Sequence, residues 1–426
     1  MKSKLGLAVA LCLLTGASAC AQGAGFAVRD VRVFDGHKAQ AHKTVLVSDG
    51  RILRVVDGRA AAPPGFEVVN GEGRTLLPGL IDAHVHVSPV YPAAALRQSL
   101  RLGVTTDLDM FASLKGLQAM KAIEASDPPD MADVRTAGIG ATTPGGHPTE
   151  MGGDPIPTIS GPDEAERFVE ARIAEGSDYI KIIYEDCSVY AAVRGPCPSI
   201  SAATLRALVV AAHRHGKLAV VHISSEAEAR DAIAAGADGL AHIFIGKTAT
   251  PDFGRYAAAH HVFVEPTLTA NYDNCGRGEG ANLAKDPRLT SQIDQPLFRR
   301  MLAMVHTGPS KISCDAADQA VREMLAAHVP MLVGTDSPAP GSTYGASTIE
   351  EIALLVRDGL TPTQALTAAT FNPAHAFHLN DRGEIRAGLR ADLLLVQGDP
   401  TRDVIDLRNI VAVWKRGVRV QRLPVH

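Results

Sequence analysis

The chain has 426 residues, enough for one large barrel or two to three ordinary domains. Its 46% hydrophobic and 21% charged content is that of a folded chain with ample core. A net charge of −4 with scattered basic residues, and only 4% aromatics, exclude a basic nucleic-acid surface and a base-stacking platform.

Taken in order, the first segment reads as a leader rather than as fold. Met1-Lys2-Ser3-Lys4 is basic, 5–14 is apolar, and Ala17-Ser18-Ala19 is a small-residue cleavage signal. That layout predicts a signal peptide over 1–19 and a secreted or periplasmic product. Cys20 adds a second route, lipidation and membrane tethering; Ala17, where a lipoprotein signal prefers leucine, favours plain secretion. No later apolar run is long enough to span a bilayer.

From 25 to 75 the pattern is short alternating strands, with Asp49-Gly50 between two apolar runs as a hairpin signal. The end of the chain, 380–426, has the same character. The two ends are expected to join as one small β-sandwich domain, interrupted by 76–379. Within that interval strand and helix alternate. Strands are expected over 77–87, 104–108, 134–138, 179–184, 218–223, 239–244, 262–268 and 331–335. Helices are expected over 92–102, 114–125, from 160 onward, and over 204–215, 226–235, 349–357 and 362–375. Eight β/α units over this length predict an α/β (β/α)8 TIM barrel, with loops at 141–158, 185–200 and 271–315 roofing its mouth. The cysteines past the leader, Cys187, Cys197, Cys275 and Cys314, allow three pairings, and an oxidising compartment makes disulfides reasonable.

The chemistry starts from Lys181, inside the apolar stretch Asp178-Tyr-Ile-Lys-Ile-Ile-Tyr184. Burying an ammonium there is costly, whereas a neutral amine that captures carbon dioxide becomes a bidentate carbamate anion (N6-carboxylysine). His84 and His86 lie two apart on a strand and so share one face, able to chelate one ion. His222, His242 and Asp336 fall near the C-terminal ends of later strands, the face where barrel active sites form. Each has a plain alternative: core histidines, a turn cap, a lysine snorkelling to the rim. All would have to hold together on five strands of one barrel. His213 and His215 have the same spacing as His84 and His86 but end a helix, where residues two apart diverge.

With those residues the chain resembles the amidohydrolase superfamily over nearly its whole mature length. The resemblance is carried by PGLIDAHVH at 78–86, GVTT at 103–106, YIKI at 179–182, His222, His242, GTD at 334–336 and the final β segment from Gly388. It implies His84, His86 and Asp336 on a first divalent ion, His222 and His242 on a second, and carboxylated Lys181 bridging both. Zinc suits such ligands, with manganese, cobalt or iron left open. It further implies that a water bridging the ions attacks a carbonyl while Asp336 passes its proton to the leaving amine. The strand-three loop Thr142-Thr-Pro-Gly-Gly-His147 and the segment 335–345 resemble the imidazolonepropionase-like and dipeptidase-like branch.

Around the metals, His147 and Tyr184 are candidates to polarise or bind substrate, and Arg194 to anchor a carboxylate. The expected function is hydrolysis of a small amide, a dipeptide or N-acyl amino acid. A lactonase, phosphotriesterase or cyclic-amide hydrolase would use the same cage, and a non-catalytic metal- or solute-binding protein would tolerate it. Mononuclear deaminases of the superfamily carry a glutamate three residues after the strand-five histidine; position 225 is Ser, with Glu226 one residue farther on. The expected partner is a small molecule, not a nucleic acid, and a homo-oligomer is left open.

Overall fold

The structure is a computed structural model that describes residues 25–87, 90–152, 155–190, 196–247, 249–305, 310 and 312–424. The leader, Cys20 and Arg194 therefore lie outside the described residues.

Eight strands at the start and end of the chain build one hydrogen-bonded network. They are β1 (Phe26–Phe34), β2 (Ala39–Ser48), β3 (Arg51–Asp57), β4 (Glu67–Asn70) and β5 (Arg74–Pro78) from the start of the chain. β6 (Leu80–Val85), β7 (Val104–Asp109), β8 (Asp133–Thr136), β9 (Ile180–Ile183), β10 (Ala219–His222), β11 (Gly239–Ala241) and β12 (Phe263–Glu265) follow in the middle. The end supplies β13 (Leu393–Gln397), β14 (Ile410–Lys415) and β15 (Val418–Arg419). Of these, β1 to β5 and β13 to β15 form an 8-stranded sheet in the order β15-β14-β13-β5-β1-β2-β3, with β4 also on β1. The two ends meet where β13 runs antiparallel to β5. The expectation was a sandwich of two sheets, but the ladder is continuous. Register shifts at Val31 bend β1, which pairs with β2 on one side and with β4 and β5 on the other. Phe26 and Trp414 stack at 5.0 Å in the core this encloses. The Asp49-Gly50 hairpin forms as read, both residues having positive φ (52° and 73°), as a two-residue turn requires.

Chain passes from this sheet to the next layer at Gly79. Sequence reading expected one strand over 77–87; the structure divides it into β5 and β6. A Cβ at Gly79 would stand 2.2 Å from Thr105 Oγ1, so only glycine lets the crossing lie against β7.

The middle of the chain makes two parallel sheets, β6-β7-β8 and β12-β11-β10-β9. Parallel bridges join them: Ala141 to Ile182 on one side, Val264 to Met331 and Val85 to Ser337 on the other. The expected eighth strand, 331–335, is not a regular strand. It is an extended segment whose neighbours bond on both flanks, Leu332 N–H to Val264 (2.9 Å) and Ala83 N–H to Val333 (2.7 Å). Pro330 offers no N–H, and the positive φ of Asp336 (58°) ends the extended run.

Helices cover the sheets at or near their expected places, among them Pro92–Arg101, Leu114–Ser126, Ala165–Glu175, Ala202–Arg214, Glu226–Ala235 and Ala346–Arg357. Two expectations change. The helix expected over 362–375 is two, Pro362–Ala368 and Phe371–Ala376, because Pro373 cannot donate back to the preceding turn. The loop expected over 271–315 is largely helical: Leu268–Asn274, Glu279–Leu283, Pro287–Thr290, Gln295–Met304 and the start of Asp315–Ala326. Most are too short to show periodicity in sequence. They are held instead by Tyr272, stacked between Arg277 and Arg357, and by the Cys275–Cys314 disulfide. Cys187 and Cys197 form a second disulfide. Among the described residues no helix is long and apolar enough to cross a membrane.

Candidate metal centre

β6 places His84 and His86 on one face, and the bend after Gly334 brings Asp336 against them. Their ligand atoms lie within 4.8 Å of one another. Asp336 Oδ1 is 2.9 Å from His86 Nε2 and 3.5 Å from His84 Nε2. The approach is close because residue 334 is glycine; a Cβ there would sit 2.7 Å from His84 Cβ. Asp336 N–H donates to His84 carbonyl oxygen at 2.7 Å, which locks the two segments together. Behind them, buried Asp82 accepts from the Thr335 and Thr348 hydroxyls at 2.9 and 2.7 Å. Burial pushes this carboxyl up to about 7 despite those bonds.

The other ring nitrogens are taken. His84 Nδ1 is 3.0 Å from Glu265 Oε2, and His86 Nδ1 faces Phe111 carbonyl oxygen at 3.3 Å. Such outer bonds set the tautomer and aim Nε2 inward. His242 follows the same rule. Its positive φ of 74° turns the side chain in at the end of β11, and Nδ1 is 2.8 Å from the Thr267 hydroxyl. Glu351 braces that turn, accepting from the backbone N–H of Leu268 and Thr269 at 2.7 Å. His222, at the end of β10, bonds through Nε2 to Glu185 Oε2 at 3.2 Å. The four rings form a continuous cluster, with centroids 5.3 Å apart for His84–His86, 4.6 Å for His84–His242 and 4.4 Å for His222–His242.

Lys181 lies in the floor of this cluster, 1% exposed and paired in register with Val220. Its Nζ has no hydrogen-bond partner among the described residues, and neither has His84 Nε2. Two buried polar atoms without partners among the described residues, beside four imidazoles and a carboxylate, make a donor set suited to a cation. Burial pushes the Lys181 amine down to about 8 against the pull of Glu265, Asp336 and Asp109, so a neutral, carbamate-forming amine is accessible. Burial also drives His84 and His242 well below the ordinary histidine range, leaving them neutral as ligands must be. For Asp336, burial alone would raise the carboxyl, but the hydrogen bond with His86 outweighs it and holds it below the ordinary carboxylate range. The donor set of His84, His86 and Asp336, with the neighbouring imidazoles, therefore fits a divalent ion.

The remaining candidates are placed differently. His147 lies at the mouth, its ring 5.0 Å from that of His222 and its Nδ1 2.8 Å from Glu150. Tyr184 corrects the expectation of a substrate-facing phenol. One residue out of phase with the inward Lys181, it points to the helical layer and donates to Asp231 at 2.8 Å. His213 and His215 bond to Asp238 and Glu166 on the outside, as their helical spacing suggested. Sequence reading missed Glu265, Glu185, Asp82 and Thr267. The one available signal was a lone acid inside an apolar strand, Phe263-Val-Glu265.

Residues 75–420 match the model of the Amidohydrolase family, and the chain belongs to that family. It is 41% identical over 103 residues to an imidazolonepropionase of Deinococcus deserti, covering 23% of this chain and 26% of that protein. It is 27% identical over 375 residues to adenine deaminase 2 of Rhizobium etli, covering 84% of this chain and 50% of that protein. The chain thus matches half or less of the length of these curated relatives. Among solved structures, a Xaa-Pro dipeptidase with methionine bound in its active site superposes with a TM-score of 0.74 at 22% identity, covering 93% of this chain and 100% of the other. An A. niger ochratoxinase superposes with a TM-score of 0.69 at 20% identity, covering 93% and 95%. These likenesses establish the fold.

Proposed function

We propose that the protein is a binuclear metal-dependent amidohydrolase that cleaves the amide bond of a small substrate, a dipeptide or N-acyl amino acid. The observation that carries this reading is the buried Lys181 amine, without a hydrogen-bond partner among the described residues, in the midst of His84, His86, His222, His242 and Asp336. In this reading the two parallel sheets and the segment 330–337 are the eight members of a (β/α)8 ring, with the site at its C-terminal mouth. Family membership supports the hydrolase class, and the dipeptidase neighbour supports the fold on which such a site is built.

His84, His86 and Asp336 would hold one ion, His222 and His242 the other, and Lys181 as its carbamate would bridge. When bound, such a pair supplies an acidified water and a Lewis acid for the carbonyl, and zinc suits this donor set. The chain's own residues do the rest. Asp336 Oδ1, 2.9 Å from His86 Nε2, takes the proton that water loses on adding to the carbonyl carbon. It delivers that proton to nitrogen as the C–N bond breaks, so acid and amine leave in balance. His147, oriented by Glu150, binds the substrate's free carboxylate at the mouth, and Arg194 is a second candidate for that contact.

The adenine deaminase relatives raise deamination as an alternative. Glu226 does not serve it: its carboxylate holds Arg230 and Thr250 on the outer helix, and position 225 is a serine capping that helix. The two disulfides support an oxidising compartment, in keeping with the leader-like start and with release outside the cytoplasm.

Metal analysis followed by matched substrates tests the reading. The chain should hold about two divalent ions, and amidating the terminal carboxylate of an N-acyl amino acid or dipeptide should lower kcat/KM. Turnover restricted to phosphotriesters and lactones, or indifference to amidation, would transfer the site to the esterase-type alternative. A chain that binds ions and turns over nothing would be a binding protein.

A further inference from the structure

We infer that Glu185, placed by the Cys187–Cys197 turn, is the positioning residue that selects the ligating tautomer of His222. This inference rests on the binuclear reading above. Glu185 is 2% exposed and lies just past the end of β9, outside the set of residues that would touch the ions.

Its two carboxylate oxygens have separate partners. Oε1 accepts from the Cys187 N–H at 2.7 Å and from the Ser224 hydroxyl at 2.8 Å. Oε2 faces His222 Nε2 at 3.2 Å. A carboxylate oxygen can only accept there, so the His222 proton resides on Nε2 and the lone pair on Nδ1. Nδ1 then carries the lone pair through which His222 would ligate an ion, whereas His84, His86 and His242 are aimed through Nε2. The single histidine of opposite sense is the one held by a carboxylate on Nε2.

The turn that holds Glu185 is itself fastened. Cys187 has φ +59°, the disulfide ties it to Cys197, and the Cys197 N–H donates to Asp186 carbonyl oxygen at 3.0 Å. From the other side Glu228 accepts from the backbone N–H of Asp186 and Ser224 at 3.0 and 2.9 Å. These contacts keep two donors on Oε1 and leave Oε2 to His222.

Glu185→Gln separates tautomer selection from packing. The amide oxygen must take the Oε1 position, where two donors point, which puts NH2 against His222 Nε2. His222 then accepts at Nε2 and carries its proton on Nδ1, where it blocks the ion. Glu185→Ala removes the constraint without reversing it. Metal-stripped full-length protein is titrated with Co(II), read by its visible absorption, and with Zn(II) by competition against a chromophoric chelator. Far-UV circular dichroism checks that both variants are folded. The expected result is two ions in the wild-type chain, with affinity for one of them falling about 10–100-fold in Glu185→Gln and less in Glu185→Ala. A structural role alone gives the opposite order, because truncation damages packing more than an isosteric change. Two ions at wild-type affinity in Glu185→Gln, or a greater loss in Glu185→Ala than in Glu185→Gln, overturns the role of Glu185 and leaves the binuclear reading intact. A wild-type chain with a single ion overturns the binuclear reading itself.

Discussion

Replacing Asp133 with Asn should destabilise the whole chain without touching the proposed metal site. Asp133 begins β8, at the opposite end of that strand from the proposed site. Its carboxylate gathers three cations from the C-terminal part of the chain: Arg382 at 2.7 Å, Arg390 at 2.5 Å and Lys415 at 2.7 Å. All three cations are nearly buried, at 7%, 5% and 2% exposure, so their charges are poorly solvated. Breaking such a buried pair from one side typically costs about 3–5 kcal/mol. None of the three is wholly stranded, however. Arg382 keeps Asp381 at 2.8 Å, Arg390 keeps Asp392 at 2.8 Å, and Lys415 keeps Asp127 at 3.2 Å. The lower end applies, about 3 kcal/mol for Asp133→Asn. Burial by itself would raise the Asp133 carboxyl, but Arg390, Arg382 and Lys415 override it and hold it well below the ordinary range. A depressed folded pKa gives stability that is complete above the unfolded value of about 3.9 and is lost as pH falls through the folded one. The difference between wild type and variant should therefore be constant from neutral pH down to about 5 and shrink below about 4. Urea unfolding followed by circular dichroism at a series of pH values measures it, with metal content as the control. A variant within about 1 kcal/mol of wild type at pH 7, or a difference that widens in acid, refutes the reasoning.

Two further outcomes bear on the centre. Lys181→Ala should lose much of the bound metal and nearly all turnover, with partial return when acetate or propionate is supplied as a substitute bridge; retention of two ions and full activity would remove the carbamate from the site. Asp336→Asn should stay folded yet lower kcat by about 10²–10⁴, the usual contribution of a positioned acid–base group, and a near-normal rate would reduce Asp336 to a brace for β6.

What the sequence determines by itself is the alternation of the chain and the identity of its chemical residues. Period-2 and period-3.6 patterns place helices such as Glu226–Ala235 at their observed bounds, and Asp49-Gly50 marks its turn because two successive positive-φ residues are needed there. Lys181 stands out because a lysine in an apolar strand needs an explanation at the level of one residue. Tertiary structure alone decides what lies opposite. Whether residues 331–335 form a strand depends on Gly334 resting on His84 and on the turn at Asp336, contacts between segments some 250 residues apart. The short helices after β12 have no periodic signature and exist because Glu351, Tyr272 and a disulfide hold them. Tyr184 leaves the site because a one-residue phase change sends its side chain to the other side of β9. The carboxylates that face the candidate ligands, Glu265 at His84 and Glu185 at His222, are unremarkable glutamates in one dimension. Their role is a matter of which ring nitrogen they face, and only the packed fold specifies that.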